Sequence, residues 1–141
     1  MARQVLYFMG PQQVAVAPEA LPPPAFGQML VQTLISAISP GTELLVYRGL
    51  APLDLPKDET IPALAGNFAF PLQYGYAVVG RVREIGPGVA PEWEGRPVFA
   101  FQPHASHFLA TPDELLMLPE DLGRTMGDLC IWVTGTEARP T

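Results

Sequence analysis

Two stretches of this 141-residue sequence hold side chains that could do chemistry. In "SPGTELLVYRG" (39–49), Ser39, Thr42, Glu43 and Tyr47 stand close together. In "PHASH" (103–107), His104 and His107 are the only histidines of the chain. Hydroxyls, a carboxylate and an imidazole are the groups that pass protons near neutral pH. A nucleophilic hydroxyl needs a base within hydrogen-bond reach, and neither Ser39 nor Thr42 has one adjacent in sequence. Ser39 has a plainer role as the cap of a helix, whereas capping explains Thr42 less well. As a metal pair the two histidines need a third ligand and a shared face. Positions i and i+3 of a strand point to opposite faces, so the pair reads as a turn residue plus a surface or cleft residue. His104 is kept as the imidazole of a cleft. Tyr47 and Tyr76 read equally as core or cleft aromatics.

No nucleotide fingerprint is present. "GPGVAP" (86–91) imitates the first half of a dinucleotide-binding turn, but Pro91 replaces the last glycine and "EWEGRP" follows where a helix should open. Cys130 is the single cysteine, so an internal disulfide and a multi-cysteine zinc site are both excluded.

The elements that must position these groups are short. "QVLYFMG" (4–10) reads as a first strand closed by Gly10-Pro11, and "QQVAVAPEA" alternates at Val14 and Val16 as a partner. Three successive prolines at 22–24 exclude regular structure there. The apolar run 28–38 reads as a strand from its Val, Thr and Ile content. Ser39 as N-cap, Pro40 in the first turn and Gly49 as a stop predict a helix of about two turns. Residues 50–71 carry four prolines and no period, which predicts a long loop. "LQYGYAVVGRVREIG" (72–86) reads as a long strand despite Gly75, Gly80 and Gly86. Glycines at such positions let a barrel strand bend or bulge. Short strands follow at 95–101, 106–112 and 115–119, with a capping box from Thr111 to Glu114.

Composition agrees with that picture. Hydrophobic residues make up 48% and charged residues 16%, enough apolar content for a core. The 17 prolines and 13 glycines argue for strands and turns over long helices. Net charge is −6, and the 8 Lys and Arg residues are scattered, which disfavours nucleic acid. No apolar run approaches the ~20 residues of a membrane span, and the N-terminus has no secretory h-region. A soluble cytoplasmic protein is the expectation.

Taken in order, "LISAISPGTELLVYRG", "PLQYGYAVVGRVREIGPGV" and "EGRPVFAFQPHASHFLATPDELLMLPEDL" resemble the N-terminal GroES-like domain of medium-chain dehydrogenase/reductases, the zinc-type alcohol dehydrogenase superfamily. The resemblance covers residues 1–122 and leaves 123–141 as a C-terminal tail outside the family pattern. It implies a mainly β fold: a GroES-like bent, partly open β-barrel with one or two short helices. In complete members this barrel covers the substrate side of a cleft, and a Rossmann domain binding NAD or NADP forms the other wall.

The family's metal stretches are altered here. Where zinc-dependent members carry Cys-Gly-Thr-Asp, this chain has Ser39-Pro40-Gly41-Thr42-Glu43, and Gly75-Tyr76-Ala77 stands where they carry Gly-His-Glu. The lobe of four cysteines is missing. A phenol is a poor zinc ligand at neutral pH because its pKa is about 10, so no catalytic metal is expected. Carbonyl polarisation would fall to donors such as Tyr76 or Thr42. Thr42 matches the family's proton-relay hydroxyl, but Leu45 stands where the relay's histidine is expected.

The resemblance therefore implies the substrate-side domain of a zinc-independent, NAD(P)-dependent oxidoreductase. Such a domain is either truncated or works with a separate nucleotide-binding domain, and binds no cofactor of its own. Thr42 is its catalytic candidate, and Ser39, Glu43, Tyr47, Tyr76 and His104 are its substrate-binding candidates. The partners expected are a small-molecule substrate and a separate Rossmann domain, or a second copy through the exposed cleft wall. A stand-alone binding module, with Phe68 and Phe70 on its exposed surface, is the alternative.

Overall fold

The computed structural model describes residues 1–52, 67–75 and 77–120. Tyr76, most of the 50–71 loop and the tail from 121 lie outside the described residues.

Strand β1 (Ala2–Gly10) turns at Pro11-Gln12, where Gln12 takes a positive φ of 57°, and pairs antiparallel with β2 (Gln13–Ala20). The proline-rich stretch then leads into β3 (Met29–Ala37). Helix α1 (Thr42–Tyr47) follows. After it come β4 (Ala77–Ile85), β5 (Pro97–Ala100), β6 (His107–Ala110) and β7 (Leu115–Met117). Five of these strands form one antiparallel sheet in the order β6-β3-β4-β5-β7.

Backbone bonds outside the named strands curl the two sheets together. Gln4 accepts from the Ser106 N–H at 2.8 Å, and the Leu6 N–H donates to the His104 carbonyl at 3.1 Å. On the same strand, Phe8 and Leu72 exchange both bonds, at 2.8 and 3.0 Å. β1 thus joins residues 104–106, just before β6, on one stretch and residue 72 on another. This is the bent, partly open barrel expected from the sequence. Its central pair β3–β4 carries two register shifts, between Leu30 and Val31 and between Thr33 and Ile35. Gly80 sits opposite Thr33, and a Cβ there would fall 2.7 Å from the Gln32 carbonyl oxygen. Only a residue without a Cβ lets the strands approach so closely at the bend.

Three apolar clusters fill the interior. The largest packs Met29, Val31, Val78, Val82, Val98 and Phe108 inside the sheet. A second gathers Phe8, Val46, Leu72 and Tyr74 beneath α1, and a third gathers Val79, Phe99 and Leu118. Phe68 and Phe70, expected on an exposed wall, pack partly against the second cluster instead, with the Phe68 and Tyr74 ring centroids 5.4 Å apart. Covering part of each ring removes apolar area from water, which favours this contact. Among the described residues no helix is long and apolar enough to cross a membrane.

Candidate functional site

Helix α1 is held by one face and two ends. Glu43 and Val46, three residues apart, share the inward face, and both are buried. Val46 anchors the helix in the second cluster. At the C-terminus Gly49 takes a φ of +72°, its N–H donates to the Val46 carbonyl at 3.0 Å, and the Leu50 N–H donates to the Leu45 carbonyl at 2.9 Å. That is a Schellman closure, and it makes Gly49 the stop that the sequence predicts. The start differs from expectation. The helix begins at Thr42 with Gly41 at its N-cap, and no side chain caps it. The roles are reversed: the Ser39 N–H donates to Glu43 Oε2. A buried carboxylate needs donors more than the helix end needs an acceptor, so the inward Glu43 takes the backbone group.

Glu43 is the one buried charged side chain among the described residues, 4% exposed. Its Oε1 meets Nε2 of His104, and Nδ1 of the same ring meets the Ser36 hydroxyl. The His104 backbone is pinned on both sides, its carbonyl by Leu6 and its N–H by the Tyr74 carbonyl at 3.4 Å. The ring therefore enters between the end of β3 and α1 with little freedom. A carboxylate only accepts, so a neutral imidazole here carries its proton on Nε2 and leaves Nδ1 to accept from the Ser36 hydroxyl. Every proton in the chain Ser36–His104–Glu43 then points toward the carboxylate, the direction in which an imidazole acts as a general base.

A polar cleft of about 230 Å³ opens beside this segment, lined by Arg3, Gln73, Gln102, Pro103, Ala105, Leu109 and Glu114. On its Arg3 side, the guanidinium bonds the Glu19 carboxylate at 2.8 Å and the His107 carbonyl at 3.2 Å. The Tyr7 hydroxyl donates to the other Glu19 oxygen at 2.6 Å. The Tyr7 bond, then Arg3, hold the Glu19 carboxyl below its ordinary value, and the Glu19 bond raises the Tyr7 phenol. His107 stands at the start of β6. Burial, then the charge of Arg83, push its imidazole below the usual range.

Among the described residues no group of three or more His, Cys, Asp or Glu side chains comes together. A pyrophosphate cradle needs a parallel βαβ unit, and every strand pairing between the named strands is antiparallel.

No protein-family model matches the sequence, and no curated protein matches it. Solved structures do. The 2R,3R-butanediol dehydrogenase from Bacillus subtilis superposes with a TM-score of 0.65 at 18% identity, over 90% of this chain and 43% of that one. The quinone oxidoreductase from Coxiella burnetii gives a TM-score of 0.61 at 18% identity, over 85% of this chain and 38% of that one. The fold is GroES-like. A third match is a short chain alcohol dehydrogenase from E. coli, complexed with cofactor NADH. Its TM-score is 0.63 at 14% identity, over 86% of this chain and 40% of that one. The chain spans less than half the length of each of these three proteins.

Within the GroES-like fold the candidates from the sequence separate. Glu43 and His104 meet directly, and Ser39 joins them through its backbone N–H. Thr42 is exposed at the start of α1, and no hydrogen bond links it to the relay. Tyr47 packs partly against the second cluster, and its carbonyl accepts from the Gln12 N–H at 2.6 Å. Tyr76 lies outside the described residues. Sequence reasoning missed Ser36, which sits inside an apolar strand 68 residues from its partner His104.

Proposed function

We propose that this chain is the substrate-side wall of an NAD(P)-dependent oxidoreductase cleft. Nucleotide binding belongs to a separate domain, and no zinc takes part. The observation that carries this reading is the buried, directed chain Ser36–His104–Glu43 at the end of β3 in a GroES-like barrel. Solved proteins of similar fold include a butanediol dehydrogenase, a quinone oxidoreductase and an alcohol dehydrogenase complexed with NADH, which favours hydride chemistry on small carbonyl compounds. The reaction of the complete enzyme is then reduction of a carbonyl or activated alkene, or its reverse.

This chain's own part is the proton. In the alcohol-oxidising direction the substrate hydroxyl gives its proton to the Ser36 oxygen as the Ser36 proton passes to His104 Nδ1, leaving an imidazolium whose Nε2–H stays on Glu43; reduction runs the same transfers backward from that imidazolium. Beside the relay Ile38, Leu44 and Leu45 stand exposed, a face suited to being covered by the second wall. A cytoplasmic location belongs to this reading.

The test uses the purified 141-residue protein with NADH, NADPH and a panel of small aldehydes, ketones and quinones. The expectation is no nucleotide turnover by the chain alone, and a carbonyl-induced rise in melting temperature that His104→Gln abolishes. Turnover by the chain alone, or no shift with any carbonyl, overturns the reading.

The cleft beside Arg3 favours a second reading, a small-molecule-binding module without catalysis. It predicts a ligand-induced shift that His104→Gln leaves intact and that substitution of Gln102 removes. Size measurement in solution separates both readings from self-association through the apolar face.

A further inference from the structure

We infer that Ser36 is an activated nucleophile, and that the chain by itself performs acyl transfer from small activated esters to water. The inference goes beyond the oxidoreductase reading and uses no nucleotide. It rests on three observations about one cluster.

The first is composition and order. A serine hydroxyl, an imidazole and a carboxylate stand in a line, with the imidazole between the other two. These are the parts of a Ser-His-acid triad, which is recognised by geometry and roles, whatever the fold or chain order.

The second is direction. Glu43 accepts on Oε1 from His104 and on Oε2 from the Ser39 N–H, so both oxygens are engaged as acceptors. In a neutral ring these acceptors favour the tautomer with its lone pair on Nδ1, the nitrogen that meets Ser36. The serine is bonded through Nδ1 and the acid through Nε2, the reverse of the usual assignment. The chemistry is unchanged, because neutral imidazole has one donor and one acceptor nitrogen in either arrangement.

The third is burial. Glu43 is 4% exposed and the His104 side chain 13%, whereas Ser36 is half-buried. Acid and base are shielded from water, which strengthens their coupling, and Ser36 at the end of the line is only partly covered.

The step balances without any outside oxidant or reductant. Ser36 Oγ bonds to the ester carbonyl carbon, and its proton passes to His104 Nδ1. The tetrahedral intermediate expels the alkoxide, which takes that proton and leaves as the alcohol. A water then attacks the acyl-Ser36 ester, giving its proton to Nδ1. Collapse releases the carboxylic acid and returns the proton to Oγ. The sum is ester plus water to acid plus alcohol.

The experiment exposes the full chain to a fluorophosphonate and follows p-nitrophenyl acetate hydrolysis in parallel. Intact mass and peptide mapping are expected to find one phosphonyl adduct, on Ser36. Ser36→Ala removes it. His104→Gln, which keeps a polar side chain but not the base, slows labelling and hydrolysis by about 100-fold. Circular dichroism of each variant separates loss of the nucleophile from loss of the fold. If a variant unfolds, the wild type decides: loss of labelling after diethyl pyrocarbonate modification of the histidines, restored by hydroxylamine, supports the imidazole base. No adduct on the wild type, an adduct on another residue, or labelling untouched by that modification overturns the inference. Because no nicotinamide nucleotide is present, failure here leaves the oxidoreductase reading standing, and failure there leaves this one standing.

Discussion

The His104 ring occupies the space that a side chain on Gly75 would need. A Cβ built on Gly75 falls 2.7 Å from His104 Nε2, 2.8 Å from Cδ2 and 3.0 Å from Cε1. Gly75 also takes a φ of +127°, a conformation that residues with a Cβ rarely adopt. The glycine before β4 is therefore part of the site: it makes room for the imidazole and turns the chain beside it.

Gly75→Ala should accordingly strike both stability and the relay. The ring is bonded at both nitrogens and cannot swing away without breaking Ser36 or Glu43 contacts. Backbone strain alone costs about 1–3 kcal/mol, so a loss of at least that size in urea unfolding is expected, together with loss of fluorophosphonate labelling. A variant as stable as the wild type, with the His104 bonds intact by NMR, contradicts the packing described.

Glu43→Ala leaves two donors, the His104 Nε2–H and the Ser39 N–H, without their acceptor. A buried donor stripped of its partner costs about 1–3 kcal/mol. The expected loss is about 2–4 kcal/mol, and Glu43→Gln should lose less because its amide oxygen keeps one bond. Denaturant titration of the three proteins orders them directly. Equal stability of Gln and Ala variants removes the claim that the acceptor matters.

The barrel was legible because its signals are local. Alternation at Val14 and Val16, the Gly10-Pro11 break and the Val, Thr and Ile content of 28–38 depend on neighbours in sequence, and β1, β2 and β3 follow them. The helix stop at Gly49 is equally local. The helix start was misread because Ser39 has cap chemistry, and only the buried Glu43 decides which group accepts from which. The relay was half legible. Glu43 and His104 stand out by residue type, but they lie 61 residues apart and nothing in the sequence pairs them. Ser36 carried no signal, because a single serine inside an apolar strand has no neighbour in sequence that marks it for chemistry. Gly75 reads in the sequence as a bend within a strand, whereas it precedes β4 and lies against the His104 ring.

His107 predicts an acid-sensitive term in stability. Its imidazole is pushed below the ordinary 6.5, first by burial and then by Arg83. Ser106 Oγ at 3.0 Å from Nδ1 is its other polar neighbour. The folded state thus favours the neutral ring, and the unfolded chain binds the proton more readily. Stability from this group is fully present above 6.5 and is lost as pH falls from there toward the lowered folded value. Urea unfolding of wild type and His107→Gln across that range should show the wild type losing stability faster on acidification. Parallel curves dispose of the effect.

The Tyr7–Glu19 pair predicts a second window at lower pH. Glu19 lies below its ordinary 4.5, with the Tyr7 hydroxyl as the largest cause and Arg3 next. A depressed carboxyl contributes stability above its unfolded value and loses it as pH falls through the folded one. Tyr7→Phe removes the larger cause and leaves the Arg3 bond at 2.8 Å in place. The Glu19 carboxyl should therefore titrate closer to 4.5 in the variant, by side-chain NMR. The stability gap between the two proteins should narrow on acidification, because a protonated Glu19 gains little from either neighbour. If Glu19 titrates unchanged in Tyr7→Phe, the Arg3 guanidinium holds it alone, and the hydroxyl is only a packing contact at the edge of the cleft.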